Sequence, residues 1–346
     1  ESAAVIATSI GIAASPPGRD SATELLRNAD FAMYQAKRGG KGRYEVFRSN
    51  LRETANERAT LEGLLRGAEE RDELRLYYQP VVDLTDGSIV GVEALIRWDI
   101  PGRGLLMPGD FIGLAEESGL IVSIGRWVLE RACRQTEEWR RSHGLDSLSV
   151  GVNLSARQFQ HPDLVAEVGA ALAASGLEPS CLILEITESV LMQTTAATIG
   201  KLADLRRIGV RLAIDDFGTG YSSLGYLERF PVDILKIDKT FIDGIGERGG
   251  RPVLARAIVQ LGRALDLQVV AEGIERPEQA NVLRRLGCTR GQGYLYSRPL
   301  PPAELEAVLA RGAVDLPGRP GARTPRGPAA EPTSEPIPIR RSHGAA

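Results

Sequence analysis

The sequence is poor in the side chains that most often build zinc and redox centres. Its 346 residues include three cysteines and three histidines. Cys133, Cys181 and Cys288 are scattered with no CxxC pair, so neither a disulfide framework nor a thiolate zinc site follows, and a reducing compartment is expected. His143, His161 and His343 fall outside every motif described below, which argues against histidine-rich zinc or iron hydrolase chemistry. No apolar run of about 18 residues and no signal-peptide pattern is present, so a cytoplasmic chain is expected, with any membrane anchor lying in a region outside it. Charge of one sign is also scarce. Lys and Arg number 42 against 45 Asp and Glu, a net charge of −3, and no long basic run precedes the tail. Binding to polymeric DNA or RNA is therefore not expected. The first residue is Glu1 rather than methionine, and a longer parent protein is expected.

What the sequence does have is a strand ending in acid. The apolar run Val210 to Ile214 stops at Asp215 and Asp216, and Phe217-Gly218-Thr219-Gly220 follows as a glycine-rich loop. In alternating β/α folds, ligands and catalytic groups gather at the carboxyl ends of strands.

Taken in order, residues 1–48 read as strand, helix and short strand, too few to bury a core alone. Residues 49–73 read as a charged connecting helix with Leu61, Leu64, Leu65 and Ala68 on one face, either packed as a linker or coiled in a dimer. From Leu74 the pattern changes. Two strand-like runs, 76–82 and 90–96, flank the turn at Asp86-Gly87 and should pair antiparallel. A long amphipathic helix carries Ile124, Trp127, Val128, Ala132 and Trp139. Strand and helix then alternate: strands near 148–154, 181–187, 210–215, 233–237, 268–272 and 289–294, with helices near 163–175, 195–208, 222–229, 252–265 and 277–286. The strands are nearly continuous apolar runs, as strands covered on both faces must be. Eight strands with helices between them predict an α/β fold, a closed (β/α)8 barrel over 74–315 whose first strand runs antiparallel. Residues 316–346 are rich in Pro, Gly, Ala and Arg, and are expected to be disordered.

Most of these strands carry a polar residue near the same end: Glu93, Asn153, Glu185, Asp215 with Asp216, Lys236, Glu272 and Gln292. Any one of them could be a buried ion pair or a helix cap; repetition over independent strands is harder to explain that way. Alternation turns Glu185 inward with Ile183, Asp215 inward with Ala213, and Lys236 inward with Ile234. Asp216 would point away from a straight strand, and reaches the same site only if the chain turns there, as Gly218 permits. Converging carboxylates repel by about 4 kcal/mol per pair at about 4 Å and an effective dielectric near 20, so some must be protonated or cations must be present. Oxygen donors without His or Cys favour Mg²⁺ or Mn²⁺, and this many carboxylates suit two ions flanking a phosphoryl group.

These residues carry a family resemblance. Glu93-Ala94-Leu95-Ile96-Arg97-Trp98 resembles the signature of the EAL family of cyclic di-GMP phosphodiesterases. Tyr78-Gln79-Pro80, Phe111-Ile112, Val152-Asn153-Leu154-Ser155, Glu185-Ile186-Thr187-Glu188-Ser189, the stretch from Asp215 to Leu224, Lys236-Ile237-Asp238, Ala271-Glu272-Gly273-Ile274-Glu275 and Gln292-Gly293-Tyr294 match as well. The resemblance implies metal ligation by Glu93, Asn153, Glu185, Asp215 and Asp216, and assistance to the attacking water by Lys236 and Glu272. It implies nucleotide contacts from Gln79, Arg97 and Gln292, a hold by Glu188 on the loop 216–224, and support from Glu275 and Asp238. The implied reaction is hydrolysis of cyclic di-GMP to linear pGpG, in a chain that forms a homodimer through this domain. A silent cyclic di-GMP receptor and a signalling scaffold are the alternatives; the complete acidic set favours the enzyme. Residues 1–48, through Thr8-Ser9-Ile10-Gly11-Ile12-Ala13 and Asn28-Ala29-Asp30-Phe31-Ala32-Met33-Tyr34-Gln35-Ala36-Lys37, resemble the carboxyl end of a GGDEF domain. The cyclase signature is absent from them.

Overall fold

The computed structural model describes residues 8–16, 21–38, 42–47, 49–192, 196–219, 227, 230–245, 252–314 and 316. The helix expected at 222–229, most of the loop 216–224 and the tail 317–346 lie outside the described residues.

The amino-terminal part is a small βαβ unit. Strands β1 (Ile10–Ile12) and β2 (Tyr44–Val46) pair in parallel, joined by the helix Ala22–Arg38. Ala32 and Ala36 face inward where helix meets sheet, but Leu26, Tyr34 and Tyr44 are exposed. A three-element unit covers only one side of its apolar surface.

The second helix, Ser49–Leu65, ends earlier than the sequence pattern suggested, and turns fill 66–72. Leu61, Leu64, Leu65 and Ala68 pack into the main core, which makes this segment a docked linker. Its end is pinned by Glu73, buried and bound to Arg71 and to the Trp98 indole N–H at 3.1 Å.

The main sheet contains β3 (Leu74–Asp83), β4 (Ile89–Ile100), β5 (Gly104–Leu106), β6 (Ser149–Leu154), β7 (Leu182–Thr187), β8 (Arg211–Phe217), β9 (Ile234–Ile237), β10 (Gln268–Ala271) and β11 (Arg290–Gly291). Strands β4 and β6 through β11 run parallel, in that order around the sheet. Strand β3 is antiparallel to both β4 and β11 and closes the ring. The barrel therefore has eight strands with the first reversed, as the Asp86-Gly87 turn predicts; Gly87 takes φ 83°, open to glycine at little cost. Strand β5 is an addition that the sequence pattern did not reveal, hung on the outer end of β4. The helix Pro108–Ser118 was also missed.

The outward faces of the strands pack under the helices. The helix Ile121–His143 buries Ile124, Val128, Leu129, Ala132 and Trp139 and stops at Gly144 in the left-handed region. Trp139 meets Tyr78 edge-to-face at 4.8 Å, tying this helix to the reversed strand. Inside the barrel, alternation produces layers. Val81, Ile183, Ala213, Ile234 and Val270 form an apolar ring across the lower half. One step up each strand, the inward positions turn polar.

Candidate active site

The upper layer is built by register. Asn153 of β6 pairs with Glu185 of β7, and Glu185 with Ala213 of β8. Glu93 of β4 stands beside Gly151. A Cβ on Gly151 would come 2.1 Å from Glu185 Oε1, so glycine there leaves the room that the Glu185 carboxylate occupies.

Lys236, rising from β9, ends in the middle of the acids. Its Nζ contacts Glu185 Oε2 directly, lies 2.6 Å from Glu272 Oε1 and 3.2 Å from Asp215 Oδ1, and is 3.7 Å from Glu93 Oε2. The sequence argument required protons or cations among these carboxylates, and the chain itself supplies one cation. One ammonium against four carboxylates still leaves an excess of negative charge. Burial alone would lower the pKa of Lys236, but Asp215, Glu185, Glu272 and Glu93 together raise it well above the ordinary value. Burial raises Glu185 well above the usual carboxylate range despite Lys236. Burial, with the charges of Asp215 and Glu93, pushes Glu272 to about 8.

Asp216 does reach the site, through a turn of the chain at that residue. The β8–β9 register breaks between Ile214 and Phe217, and Asp216 itself takes φ 53°, in the left-handed region. Aspartate tolerates that region better than most residues. The turn brings ligand oxygens of Asp215, Asp216 and Glu272 within 4.8 Å of one another. Burial, with Asp215 and Asp238 nearby, pushes Asp216 to about 6. Glu272, expected beside the water, thus also stands among possible ligands.

The flanking residues divide into three groups. Glu93 accepts from Asn153 Nδ2 at 2.7 Å and from Gln292 Nε2, whose other contact is Gln79 at 3.4 Å; Gln79 in turn donates to the Ser297 carbonyl. Arg97 is buried, donates to the Ile96 carbonyl and lies 5.5 Å from the Tyr77 ring centre. Glu188 accepts from the Gly218 amide at 2.9 Å, which fastens the first part of the loop after β8. Asp238 accepts from Thr240, and Glu275 pairs with Lys239 at 2.5 Å while remaining exposed, outside the acidic cluster.

Beside Asn153 and Thr187 opens an apolar cavity of about 470 Å³, lined also by Leu95, Ile96, Pro108 and Ile112. Its size suits a small organic ligand. Of its lining residues only Asn153 carries a role expected from the sequence. The available signal was Gly109, Gly113 and Gly125, small residues on two neighbouring helices that leave space between them.

The donors fit a divalent cation. They are hard oxygens, and Asp215 Oδ1 and Glu272 Oε1 are buried without a hydrogen-bond partner among the described residues, facing Lys236 by charge alone. A search of family profiles matches the EAL domain over residues 62–299. The chain belongs to the EAL family. The chain is 48% identical over 305 residues to the bifunctional diguanylate cyclase/cyclic di-GMP phosphodiesterase MucR of Pseudomonas aeruginosa, covering 88% of this chain and 44% of that protein. It is 44% identical over 305 residues to the cyclic di-GMP phosphodiesterase NbdA of the same organism, covering 88% of this chain and 39% of the relative. The solved PaMucR phosphodiesterase in complex with c-di-GMP superposes with a TM-score of 0.67 at 50% identity, over 70% of this chain and 97% of that one. The chain spans less than half the length of these two curated relatives. EAL phosphodiesterases depend on divalent metal, and the acidic cluster is consistent with that dependence. No helix among the described residues is long and apolar enough to cross a membrane.

Proposed function

We propose that this chain hydrolyses one phosphodiester bond of cyclic di-GMP to give linear pGpG, in bacterial second-messenger signalling. The observation that carries the reading is the Lys236 ammonium enclosed by four carboxylates, with Asp215, Asp216 and Glu272 grouped beside it. Glu93, Asn153, Glu185, Asp215 and Asp216 would hold two Mg²⁺ or Mn²⁺ ions, which would lower the pKa of a water and offset charge on the phosphate oxygens. Asn153 gives its amide hydrogen to Glu93 and keeps its carbonyl oxygen for a cation.

Glu272 receives the proton of the attacking water. Its side chain is 17% exposed against 4% for Lys236, so it is the more accessible of the two from the rim. Lys236 stays an ammonium and steadies the negative charge that grows as water oxygen bonds to phosphorus and the ester oxygen departs. Gln79, Arg97 and Gln292 line the nucleotide's path, and the apolar cavity beside Asn153 has the dimensions for a flat base. Glu188 fixes the start of the loop after β8, with Asp238 and Glu275 supporting neighbouring turns. The chain acts as a homodimer through the EAL domain; Val253 and Leu254, 60% and 57% exposed at the start of one helix, support an apolar contact there.

The test is incubation with cyclic di-GMP and Mg²⁺ or Mn²⁺, followed by separation of nucleotides, with EDTA and Asp215→Asn as controls. Linear pGpG is expected only from the metal-loaded wild type. Ligand binding without turnover would mark a receptor instead.

A further inference from the structure

The opposite mouth of the barrel carries two arginines, Arg211 and Arg290. Extending the inward alternation one step below the apolar ring gives Ser149 on β6, Arg211 on β8, Gln268 on β10 and Arg290 on β11. Ser149, Gln268 and Arg290 line the lower end of the axial cavity. Arg211 and Arg290 are half-buried and close enough for Arg290 to feel the charge of Arg211.

Neither guanidinium forms an ion pair within 4.0 Å among the described residues, in contrast to Arg140, Arg206 and Arg207. Arg211 spends Nε on the Ser180 carbonyl at 2.9 Å, and Arg290 makes no side-chain hydrogen bond among the described residues. The nearby acids are committed elsewhere. Asp83, opposite Arg290 in the sheet, accepts from the Thr85 amide. Asp233, near Arg211, accepts from the Leu212 amide and from Arg206. The Gln268 amide has no partner among the described residues either. Burial lowers the pKa of both arginines; Asp233 near Arg211 and Asp83 near Arg290 act the other way without cancelling it.

Two partly desolvated guanidiniums repel each other and leave donors unused; an oxyanion removes both costs at once. We infer that the amino-terminal mouth of the barrel is a binding site for a small tetrahedral oxyanion of phosphate size, held by Arg211, Arg290 and Gln268. The axial cavity above is about 20 Å³, space for a water or two and too small for phosphate, so the anion sits at the mouth. The apolar ring of Val81, Ile183, Ala213, Ile234 and Val270 separates it from the acidic rim, and the site is independent of the proposed hydrolysis.

Thermal unfolding of the full chain in EDTA tests this, comparing inorganic phosphate with chloride at equal ionic strength. Phosphate at tenfold over its dissociation constant should raise the wild-type midpoint by about 3–6 °C. The rise should vanish in Arg290→Gln and in Arg211→Gln, and persist in the exposed-helix control Arg285→Gln. In chloride at low salt, both mouth variants should unfold no earlier than wild type, because one repelling charge is gone. Guanosine 5′-monophosphate identifies the source: a matching rise means that the mouth admits a phosphate ester, and a rise with inorganic phosphate alone means the free ion. No rise in wild type, or a rise undiminished in both mouth variants, overturns the inference. A phosphorus NMR line broadened by wild type and sharp with either mouth variant gives the same answer without relying on stability.

Discussion

The two halves of the barrel interior are made by the same strands yet obey opposite rules. In the lower ring, Ile183, Ala213, Ile234 and Val270 fill space with apolar atoms and need nothing further. Two residues along each strand stand Glu185, Asp215, Lys236 and Glu272, ionisable groups that burial penalises and that only mutual charge makes tolerable. The lower ring is the platform, and the upper one carries a crowding of like charges that a divalent cation would relieve. The strand period of two residues makes this division possible, because one strand can hold a packing residue and a binding residue on the same face without bending.

Lys236→Met should separate the two halves most sharply. It leaves four carboxylates without their shared ammonium, and should cost about 3–5 kcal/mol in denaturant unfolding of the EDTA-treated protein. Added Mn²⁺ should recover part of that loss. An unchanged unfolding midpoint would mean that the ammonium does not hold the upper layer. Asp215→Asn should lower turnover about 10²–10⁴-fold while leaving unfolding in EDTA no earlier than wild type, since it removes one of the crowded negative charges. A turnover loss matched by an equal loss of stability would point to misfolding instead.

In the lower ring the pattern should reverse. Ile234→Ala opens a cavity and should cost about 2–5 kcal/mol of stability, with turnover per folded molecule within a few-fold of wild type. A large turnover defect in the folded fraction would show that the platform and the site are not separable. Gly151→Ala tests the junction between the layers. Its Cβ would press on Glu185, and Mn²⁺ affinity by calorimetry should fall about 10–100-fold, as for disturbed support of a ligand. The smallest effect concerns pH. Asp216, pushed to about 6, must shed its proton to hold a cation, and Glu272, pushed to about 8, must lose its own beside the ion, so Mn²⁺ should bind more tightly as pH rises from 6 to 8. Equal affinity at both ends of that range would contradict the proton competition.

Much of this was legible in the sequence. The reversed first strand followed from one Asp-Gly turn, and the inward faces of Glu185, Asp215 and Lys236 followed from alternation with Ile183, Ala213 and Ile234. Other features depend on contacts distant in sequence. Alternation alone sends Asp216 outward; its left-handed backbone and the local register shift reverse that. That Lys236 lies among four acids depends on four other strands, only two of which adjoin β9, and on their register. The wall of the apolar cavity comes from the helices Pro108–Ser118 and Ile121–His143, and the first of these had too weak a period to be recognised.

The central claim is that the upper layer is a cation site assembled from separate strands. Mn²⁺ titration followed by electron paramagnetic resonance counts bound ions directly. Two ions per chain are predicted for wild type, with at least one lost in Asp215→Asn. A wild-type chain that leaves Mn²⁺ free at millimolar concentration, or a variant that binds it equally well, would contradict the account.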